Sequence, residues 1–424
     1  MDYTKALDYI HSLSKFGSKP GLDRVSRLVS LAGNPQKDLK FIHIAGTSGK
    51  GSTASYCAAI LKEAGLRVGL YTSPYIIDFR ERFQINGEVI DKEEFCILVE
   101  RLIPIVEEIN RDGQVITEFE FNTALGFLYF KQQKCDVVIL EVGMGGRFDA
   151  TNVIKNPLVS VITSIGLDHT DYLGDTIDKI AFEKCGIIKS ACPVVSYPMQ
   201  KGEAQRVISE VCAQKGSPLY LPSLDALKGV KLSLGASDFN FEGEDYTVNM
   251  AGEHQIYNAV TAITAVKRLE DYGFNVDSDS IKRGVAAVCC PARLEVINKK
   301  PLIIIDGAHN ADKVKALYSY AKQFSGKIVS VCGMLRDKDY SSAAELIAPL
   351  CKSIVTVTPE NPRALSAAEL RDTLSQYCPD CTPAPSVSEG AKLAFSKMCE
   401  GDVLLCWGSL YIAGKVRQTI LSII

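Results

Sequence analysis

The segment from residue 41 to residue 65 carries the residues whose types and spacing are best suited to chemistry. It reads FIHIAGTSGKGSTASYCAAILKEAG: a buried strand, a glycine-rich loop and a helix. The loop consists of Gly46, Thr47, Ser48, Gly49, Lys50, Gly51 and Ser52. Glycines let backbone N–H groups face a phosphate without side-chain clash, and a helix amino terminus adds partial positive charge. The segment predicts a phosphate-binding loop, with Lys50 on the outer phosphates and the Ser52 hydroxyl on a metal.

This loop departs from the general pattern GxxxxGK followed directly by Ser or Thr. Gly51 stands between Lys50 and Ser52, and Ile44 occupies the place of the first glycine. A turn that merely links a strand to a helix is therefore the alternative interpretation. The next apolar run, ending at Tyr71, favours the phosphate loop because it completes a βαβ unit.

Three polar residues follow other buried apolar runs in the same way. Glu141 ends one run just before GMGGR, Ser73 follows a second, and His169 lies in the segment GLDHTD after a third. Ligands of open α/β sheets bind at the carboxyl ends of the strands. A carboxylate, a hydroxyl and one imidazole suit Mg²⁺ or Mn²⁺. A lone strand-end Glu is more often an ion-pair partner, but the coincidence of the three predicts a metal site.

An α/β scaffold is expected to position these groups, because buried strands alternate with helical segments from residue 40 onward. The predicted strands of this part are 41–45, 67–71, 136–142, 158–163 and 193–196. Their nearly continuous apolar character is typical of parallel strands that are covered on both faces. Alternation over 232–250 predicts an antiparallel hairpin with its turn at 242–245, and a helix is predicted over 255–271, with Gly273 as its stop.

Strand and helix alternation restarts after Pro291, with predicted strands at 302–305, 327–332, 353–357 and 403–406. We therefore predict two domains, residues 1–295 and residues 296–424. The first is a P-loop-type, mostly parallel sheet with a small antiparallel element, and the second is a smaller, Rossmann-like α/β domain. Asp306 and His309, in the turn DGAHN after the strand 302–305, form a second candidate ligand edge.

Composition excludes several classes of function. The 424 residues carry 47 Lys plus Arg against 50 Asp plus Glu, a net charge of −3, which argues against nucleic acid as a partner. No apolar stretch reaches the length of a bilayer span, and the amino terminus lacks the features of a signal peptide. Many of the 14 cysteines lie in apolar runs, so reduced thiols and a cytoplasmic location are expected. The pair Cys378 and Cys381 has no second pair at zinc spacing.

Taken together, the motifs resemble the folylpolyglutamate and dihydrofolate synthases, a family of Mur-type ATP-dependent ligases. The resemblance covers essentially the whole chain. It rests on GTSGKGS at 46–52, TSP at 72–74, LEVGMGGRFDATN at 140–152, SIGLDHTDYLG at 164–174, AFEKCGIIK at 181–189, HQIYNA at 254–259, PARLE at 291–295, DGAHN at 306–310 and GSLYIAG at 408–414.

The resemblance implies that the chain binds ATP in a cleft between two domains and adds L-glutamate to folates, to dihydropteroate or to both, through an acyl phosphate. It places Asn258 by the adenine, Arg293 by the phosphates, and Asp306 with His309 at the nucleotide. Ser73, Glu141 and His169 match the family's magnesium ligands. Together with Ser52 they form the expected set of metal ligands. Two magnesium sites and a monomeric enzyme are expected.

Three further residues are assigned by the resemblance alone. Lys184 matches a lysine that the family carbamylates, which would turn a cation into an oxygen ligand for the second magnesium. Lys50, Lys184 and His169 are therefore the expected catalytic residues. Phe119 and Asp149 correspond to positions near the pterin in some members of the family.

Two rival interpretations remain open at this stage. A Mur-type ligase could act on another acid, such as a peptidoglycan precursor, although TEFEF at 117–121 and the DATN loop favour folates. A nucleotide-binding switch without ligase chemistry would need the phosphate loop but not Lys184, so ATP turnover by a Lys184→Ala variant distinguishes it from a ligase.

Overall fold

The structure, a computed structural model, describes residues 1–13 and 21–424. The chain forms two compact units. The first comprises Met1–Lys228, Asn240–Tyr246 and Tyr257–Val288, and the second comprises Gly229–Phe239, Thr247–Ile256 and Cys289–Ile424. The chain thus passes between the units several times from residue 229 to residue 289, whereas the predicted boundary is a single cut after residue 295.

An eight-stranded sheet forms the centre of the first unit. Its strands are β1 (Phe41–Ala45), β2 (Val68–Tyr71), β3 (Phe83–Ile85), β4 (Glu88–Val89), β5 (Val137–Glu141), β6 (Val159–Ile162), β7 (Val194–Ser196) and β8 (Leu219–Tyr220). They lie in the order β4-β3-β2-β5-β1-β6-β7-β8. The pairings of β2, β5, β1, β6, β7 and β8 are parallel, and β3 and β4 add an antiparallel edge. The predicted strands of this part are confirmed to within one residue at each end.

Register explains why the strand ends meet at one level. Ile44 of β1 pairs with Glu141 of β5, and Ala45 of β1 pairs with Ile162 of β6. On the far side of β5, Tyr71 of β2 pairs with Leu140. The residues that follow four adjacent strands therefore emerge side by side at the carboxyl edge of the sheet, where open α/β sheets bind ligands.

The helices of the first unit are α1 (Tyr3–Ser12), α2 (Asp23–Leu31), α3 (Lys50–Glu63), α4 (Lys92–Arg111), α5 (Glu118–Gln132), α6 (Thr170–Leu173), α7 (Ile177–Cys185), α8 (Gly202–Lys215), α9 (Glu253–Lys267) and α10 (Ser278–Ala287). The first residues of α9 lie in the second unit. Helix α3 begins at Lys50, so the last three residues of the predicted loop, Lys50, Gly51 and Ser52, form its first turn. Helix α10 packs backbone to backbone on α3, because a Cβ on Gly284 would lie 2.4 Å from the Ile60 Cα.

A three-stranded sheet contains β9 (Leu227–Ser233), β10 (Ala236–Phe241) and β11 (Glu244–Val248), in the order β11-β10-β9. The adjacent strands β10 and β11 are connected by a turn at Glu242 and Gly243, which both have positive φ. The turn lies within the predicted range 242–245. The helix predicted over 255–271 occurs as α9, which ends at Lys267, and continues as a 3-10 helix, Arg268–Tyr272. Gly273 caps that 3-10 helix with a φ of +82°, at the predicted stop.

A six-stranded mixed sheet forms the centre of the second unit, in the order β12-β13-β17-β14-β15-β16. These strands are β12 (Glu295–Lys299), β13 (Leu302–Ile305), β14 (Ile328–Cys332), β15 (Cys351–Thr356), β16 (Cys381–Pro383) and β17 (Val403–Trp407). The helices are α11 (Ala311–Ala321), α12 (Tyr340–Ile347), α13 (Ala367–Leu374), α14 (Val387–Ser396) and α15 (Leu410–Leu421). Only β12 runs antiparallel to its neighbour, so the α/β class predicted for both parts of the chain is confirmed.

Over residues 1–13 and 21–424, the helices are each too short or too polar to cross a bilayer.

Candidate functional site

Two glycines of the phosphate loop, Gly46 and Gly49, lie where a Cβ would clash with neighbouring residues. A Cβ on Gly46 would lie 1.8 Å from the Thr163 Oγ1 at the end of β6. Gly49 caps the amino terminus of α3 with a φ of +85°, and its Cβ would lie 2.4 Å from the Asn258 Oδ1. The loop is therefore held closely against its neighbours, and the predicted adenine-side residue Asn258 lies directly beside it.

We expect Gly49→Ala to weaken nucleotide binding, because the methyl group would meet Asn258 and the positive φ would be strained. Strain of about 1–3 kcal/mol corresponds to roughly a 5- to 150-fold loss of affinity. Calorimetric titration with a nonhydrolysable ATP analogue measures this loss. Gly65→Ala is the matched control: Gly65 has a φ of +83° with nothing within 4 Å of its Cβ position. Equal affinities for the two variants would contradict the role of the close approach.

Two ammonium groups meet at the phosphate loop. Lys50 Nζ and Lys184 Nζ both donate to the Gly46 carbonyl oxygen, at 3.1 Å and 2.9 Å. Lys184 comes from the end of α7 and is only 4% exposed. Burial, assisted by the charge of Lys50, lowers the pKa of Lys184 to about 7. A substantial share of this side chain is therefore an uncharged amine at neutral pH, which an ordinary surface lysine is not.

Glu141 lies beside the first turn of α3. Its carboxylate is 4% exposed, and Oε2 accepts a hydrogen bond of 3.1 Å from the Ser73 backbone N–H. The two carboxylate oxygens lie 3.6 and 3.8 Å from the Cβ position of Gly51, next to the buried Ser52. Glu141, which ends β5, thus contacts Ser73, which follows β2, and lies beside the first turn of α3, which carries Ser52.

The segment that carries His169 touches the other side of the loop. The backbone N–H groups of Thr47 and Ser48 donate to the Ser164 carbonyl, and the Thr47 hydroxyl donates to the Gly166 carbonyl at 3.0 Å. His169 begins α6 with a φ of +53°, and its Nε2 lies 3.9 Å from the Asp168 Oδ1. Because β6 and β5 flank β1 on opposite sides, the segments that follow these two strands lie on opposite sides of the segment that follows β1.

The donor set around the loop fits a hard cation such as magnesium. It offers the Glu141 carboxylate and the neighbouring residues Ser52 and Ser73, to which the prediction adds the His169 imidazole, and oxygen donors dominate it. In the described part of the chain, no three His, Cys, Asp or Glu residues cluster as a zinc-type site would require.

Phe119 and Asp149 both lie near the end of β5. The Phe119 ring packs over Gly143, where a Cβ would lie 2.5 Å from the ring, and it also contacts the Tyr71 ring. Asp149 is buried, and its carboxylate accepts hydrogen bonds from the Met144 N–H at 3.0 Å and from the Thr151 N–H and hydroxyl. Burial raises the pKa of Asp149. In this structure the carboxylate closes the turn after β5.

The remaining predicted nucleotide residues lie in the second unit. Asp306 follows β13, and its carboxylate accepts from the Leu294 and Ala308 N–H groups, each at 2.7 Å. Burial raises the pKa of Asp306. His309 Nδ1 lies 2.7 Å from the Gly307 carbonyl oxygen, and an Arg293 nitrogen lies 3.4 Å from the Cβ position of that glycine. Arg293, Asp306 and His309 thus form one group at the carboxyl end of β13.

Sequence reasoning missed one residue near this site. His43 lies in the middle of β1, is fully buried, and has its Nε2 2.9 Å from the Thr151 Oγ1. The available signal was a single polar residue in the apolar strand FIHIA.

Similarity to known proteins extends over nearly the whole chain. Residues 44–266 match the Mur ligase middle domain, and residues 292–410 match the Mur ligase glutamate ligase domain. The chain is 37% identical over 428 residues to a dihydrofolate synthase/folylpolyglutamate synthase of Bacillus subtilis (strain 168), with 98% of each chain covered. The chain belongs to this family of Mur ligases. The family predicted from the motifs is therefore confirmed.

Solved structures of the family share the fold. The Mycobacterium tuberculosis folylpolyglutamate synthase complexed with ADP and AMPPCP has a TM-score of 0.89 and 31% identity, and 98% of each chain is covered. Escherichia coli FolC in complex with DHPP and ADP has a TM-score of 0.85 and 28% identity, with 100% of this chain and 98% of that one covered.

Proposed function

We propose that this protein is an ATP-dependent ligase that joins L-glutamate to a folate or a dihydropteroate. The carboxylate of the acceptor attacks the γ-phosphorus of ATP, which gives an acyl phosphate and ADP. The amine of glutamate then attacks the acyl carbon and displaces inorganic phosphate, which leaves the amide product. One observation carries the proposal: the side chains of Lys50, Lys184 and Glu141 all lie at one glycine-rich loop, at the carboxyl edge of the sheet.

The loop and its two lysines supply what phosphoryl transfer requires. That reaction needs positioning and neutralisation of charge more than a protein nucleophile. Backbone N–H groups of residues 46–52 and the amino terminus of α3 bind the phosphates, and the Lys50 ammonium neutralises the charge that develops on the transferred group. Lys50 Nζ donates to the Gly46 carbonyl at 3.1 Å, so its ammonium lies at the loop.

Magnesium would be held by Ser52, Ser73, Glu141 and His169, with a second ion near Lys184. The metal supplies neutralisation of phosphate charge when bound. Lys184 has the buried, partly uncharged amine that reacts with carbon dioxide to give a carbamate and a proton. This supports the family assignment of Lys184 as an oxygen donor after carbamylation.

On the acceptor side, we assign Phe119 to the pterin. Its ring lies over Gly143, two residues after Glu141, so an aromatic surface lies beside the metal-binding carboxylate. Asp149 shapes the same turn through its hydrogen bonds to Met144 and Thr151. In the second unit, Arg293, Asp306 and His309 are assigned to the nucleotide, as Asn258 is in the first.

The acceptor is identified by ADP release with ATP, magnesium and L-glutamate present. We expect glutamate-dependent ADP release with dihydropteroate, with tetrahydrofolate or with both, and a product heavier by one glutamate in the mass spectrum. A peptidoglycan precursor with a free carboxylate is the matched negative control. Release with that precursor and with neither pterin would refute the proposal.

A further inference from the structure

His43 occupies an unusual position for a polar side chain. It lies in β1, paired with Leu140 of β5 on one side and Ser160 of β6 on the other, and it is fully buried. Burial is the largest cause that lowers its pKa to about 3, so the ring is neutral and carries one proton. Its Nε2 has a partner, the Thr151 Oγ1, whereas its buried Nδ1 has none.

The hydrogen bonds beyond Thr151 decide which ring nitrogen carries the proton. The Thr151 hydroxyl lies 2.6 Å from the Asp149 Oδ1 and has one hydrogen to donate. Both Asp149 oxygens accept backbone N–H bonds, Oδ2 from Met144 and Oδ1 from Thr151, so the carboxyl acts as an acceptor and the hydroxyl donates to it. His43 must then donate from Nε2–H to the hydroxyl oxygen, which leaves Nδ1 as a bare acceptor.

The series of hydrogen bonds from His43 through Thr151 and Asp149 ends on the turn that follows Glu141. Asp149 uses its other oxygen, Oδ2, to accept from the Met144 N–H at 3.0 Å. Met144 follows Gly143, over which the Phe119 ring packs. His43, in the strand that leads into the phosphate loop, is thus linked through the side chains of Thr151 and Asp149 to the turn that Phe119 contacts.

We propose that His43 is a positioning residue for the acceptor site: its Nε2–H fixes the direction of the Thr151 hydroxyl and, through Asp149, the conformation of the turn 143–151. The proposal rests on the proposed function only in naming the acceptor as the substrate affected. The phosphate loop has its own contacts with Ser164 and Gly166, so nucleotide binding does not depend on this chain of hydrogen bonds.

The tautomer is tested without any assay of activity. Long-range ¹H–¹⁵N correlation spectra of the full chain distinguish a protonated ring nitrogen from a bare one. The His43 signal is assigned by its loss in His43→Gln. We expect a proton on Nε2 and a bare Nδ1, and the opposite tautomer would overturn the proposal even if the enzyme proved to act on another acid.

Kinetics test the consequence for the substrate. Losing one hydrogen bond of this kind typically corresponds to about a 3- to 10-fold change. We expect His43→Leu to raise KM for the acceptor by about that factor, while KM for ATP and kcat change less than about twofold. His43→Gln can place an amide N–H near the position of Nε2 and is expected to restore most of the acceptor affinity. Equal rises in both KM values, or no rescue by Gln, would contradict the proposal.

Thr151 provides an independent test if His43→Leu does not fold. Thr151→Val removes the hydroxyl and keeps the shape, and Thr151→Ser keeps the hydroxyl as the matched control. Only Thr151→Val is expected to raise KM for the acceptor. In the double variant with His43→Leu, the two effects are expected not to add, because both break one chain of hydrogen bonds. Full additivity, or equal effects of Val and Ser, would overturn the proposal.

Discussion

Lys50→Ala is expected to lower kcat by about 10²–10³-fold while the protein remains folded. The side chain supplies a preorganised charge at the transferred phosphate, and losing one such contact typically costs about 3–4 kcal/mol of transition-state stabilisation. Folding should survive, because the Lys50 ammonium has one protein hydrogen bond among the described contacts, to the Gly46 carbonyl. Steady-state ADP release and thermal melting measure the two quantities separately.

Lys62→Ala is the matched control for this prediction. Lys62 is an exposed lysine in the last turn of the same helix, α3, so its loss removes an equal charge away from the loop. Its turnover should stay within about twofold of the parent, as is usual for exposed residues away from a site. The role of Lys50 would be wrong if Lys50→Ala kept more than a tenth of the parental turnover.

Glu141→Gln is expected to reduce turnover by a similar factor, about 10²-fold or more. Glutamine keeps the shape and can still accept from the Ser73 N–H, so only the negative charge is lost. That charge is the carboxylate which the proposed magnesium site requires. A titration of activity against magnesium concentration should therefore show a higher requirement for metal in the variant, together with the lower maximal rate.

Asp136→Asn removes a carboxylate next to the opposite end of the same strand. Asp136 precedes β5, is exposed, and accepts from the Arg67 N–H at 2.8 Å. This control should leave the magnesium requirement unchanged. If both variants shifted the requirement equally, a general effect of net charge would explain the result, and Glu141 would lose its assigned role.

Strand positions were predictable from sequence because parallel strands buried on both faces leave continuous apolar runs. Phe41–Ala45 and Leu302–Ile305 occur with the predicted bounds. Short edge strands such as Glu88–Val89 and Cys381–Pro383 were missed, since two or three residues at a sheet edge carry no periodicity. Helix α3 takes in the last three residues of the predicted loop because Gly49, not a later residue, provides its cap.

Part of the candidate site was also accessible to sequence reasoning. Once strands are placed in parallel, their carboxyl ends must share an edge, and this rule places Glu141 near Ser73. Lys184 and Lys50 donate to the same carbonyl although they are 134 positions apart in the chain. The local sequence pattern around either lysine does not predict such a contact. For Lys184, only the resemblance to the family pointed to the site.

His43 shows a different limit. In sequence it is an isolated polar residue inside an apolar strand, which is also how a structural core histidine looks. Its hydrogen bond to Thr151 spans 108 residues and depends on the register of β1 against its neighbours. Chemistry that arises only from tertiary contact of this kind needs the fold before it can be recognised.

Gly284 lies at the contact between α10 and α3, far from the phosphate loop at the start of α3. No side chain separates α10 from α3 there, so a larger residue would push on the Ile60 backbone. Ile60 lies ten residues along α3 from Lys50, about 15 Å at the rise of an α-helix. A rigid helix transmits a small tilt along its length. A larger residue at Gly284 would therefore displace Lys50 at the start of α3 without altering a residue of the loop.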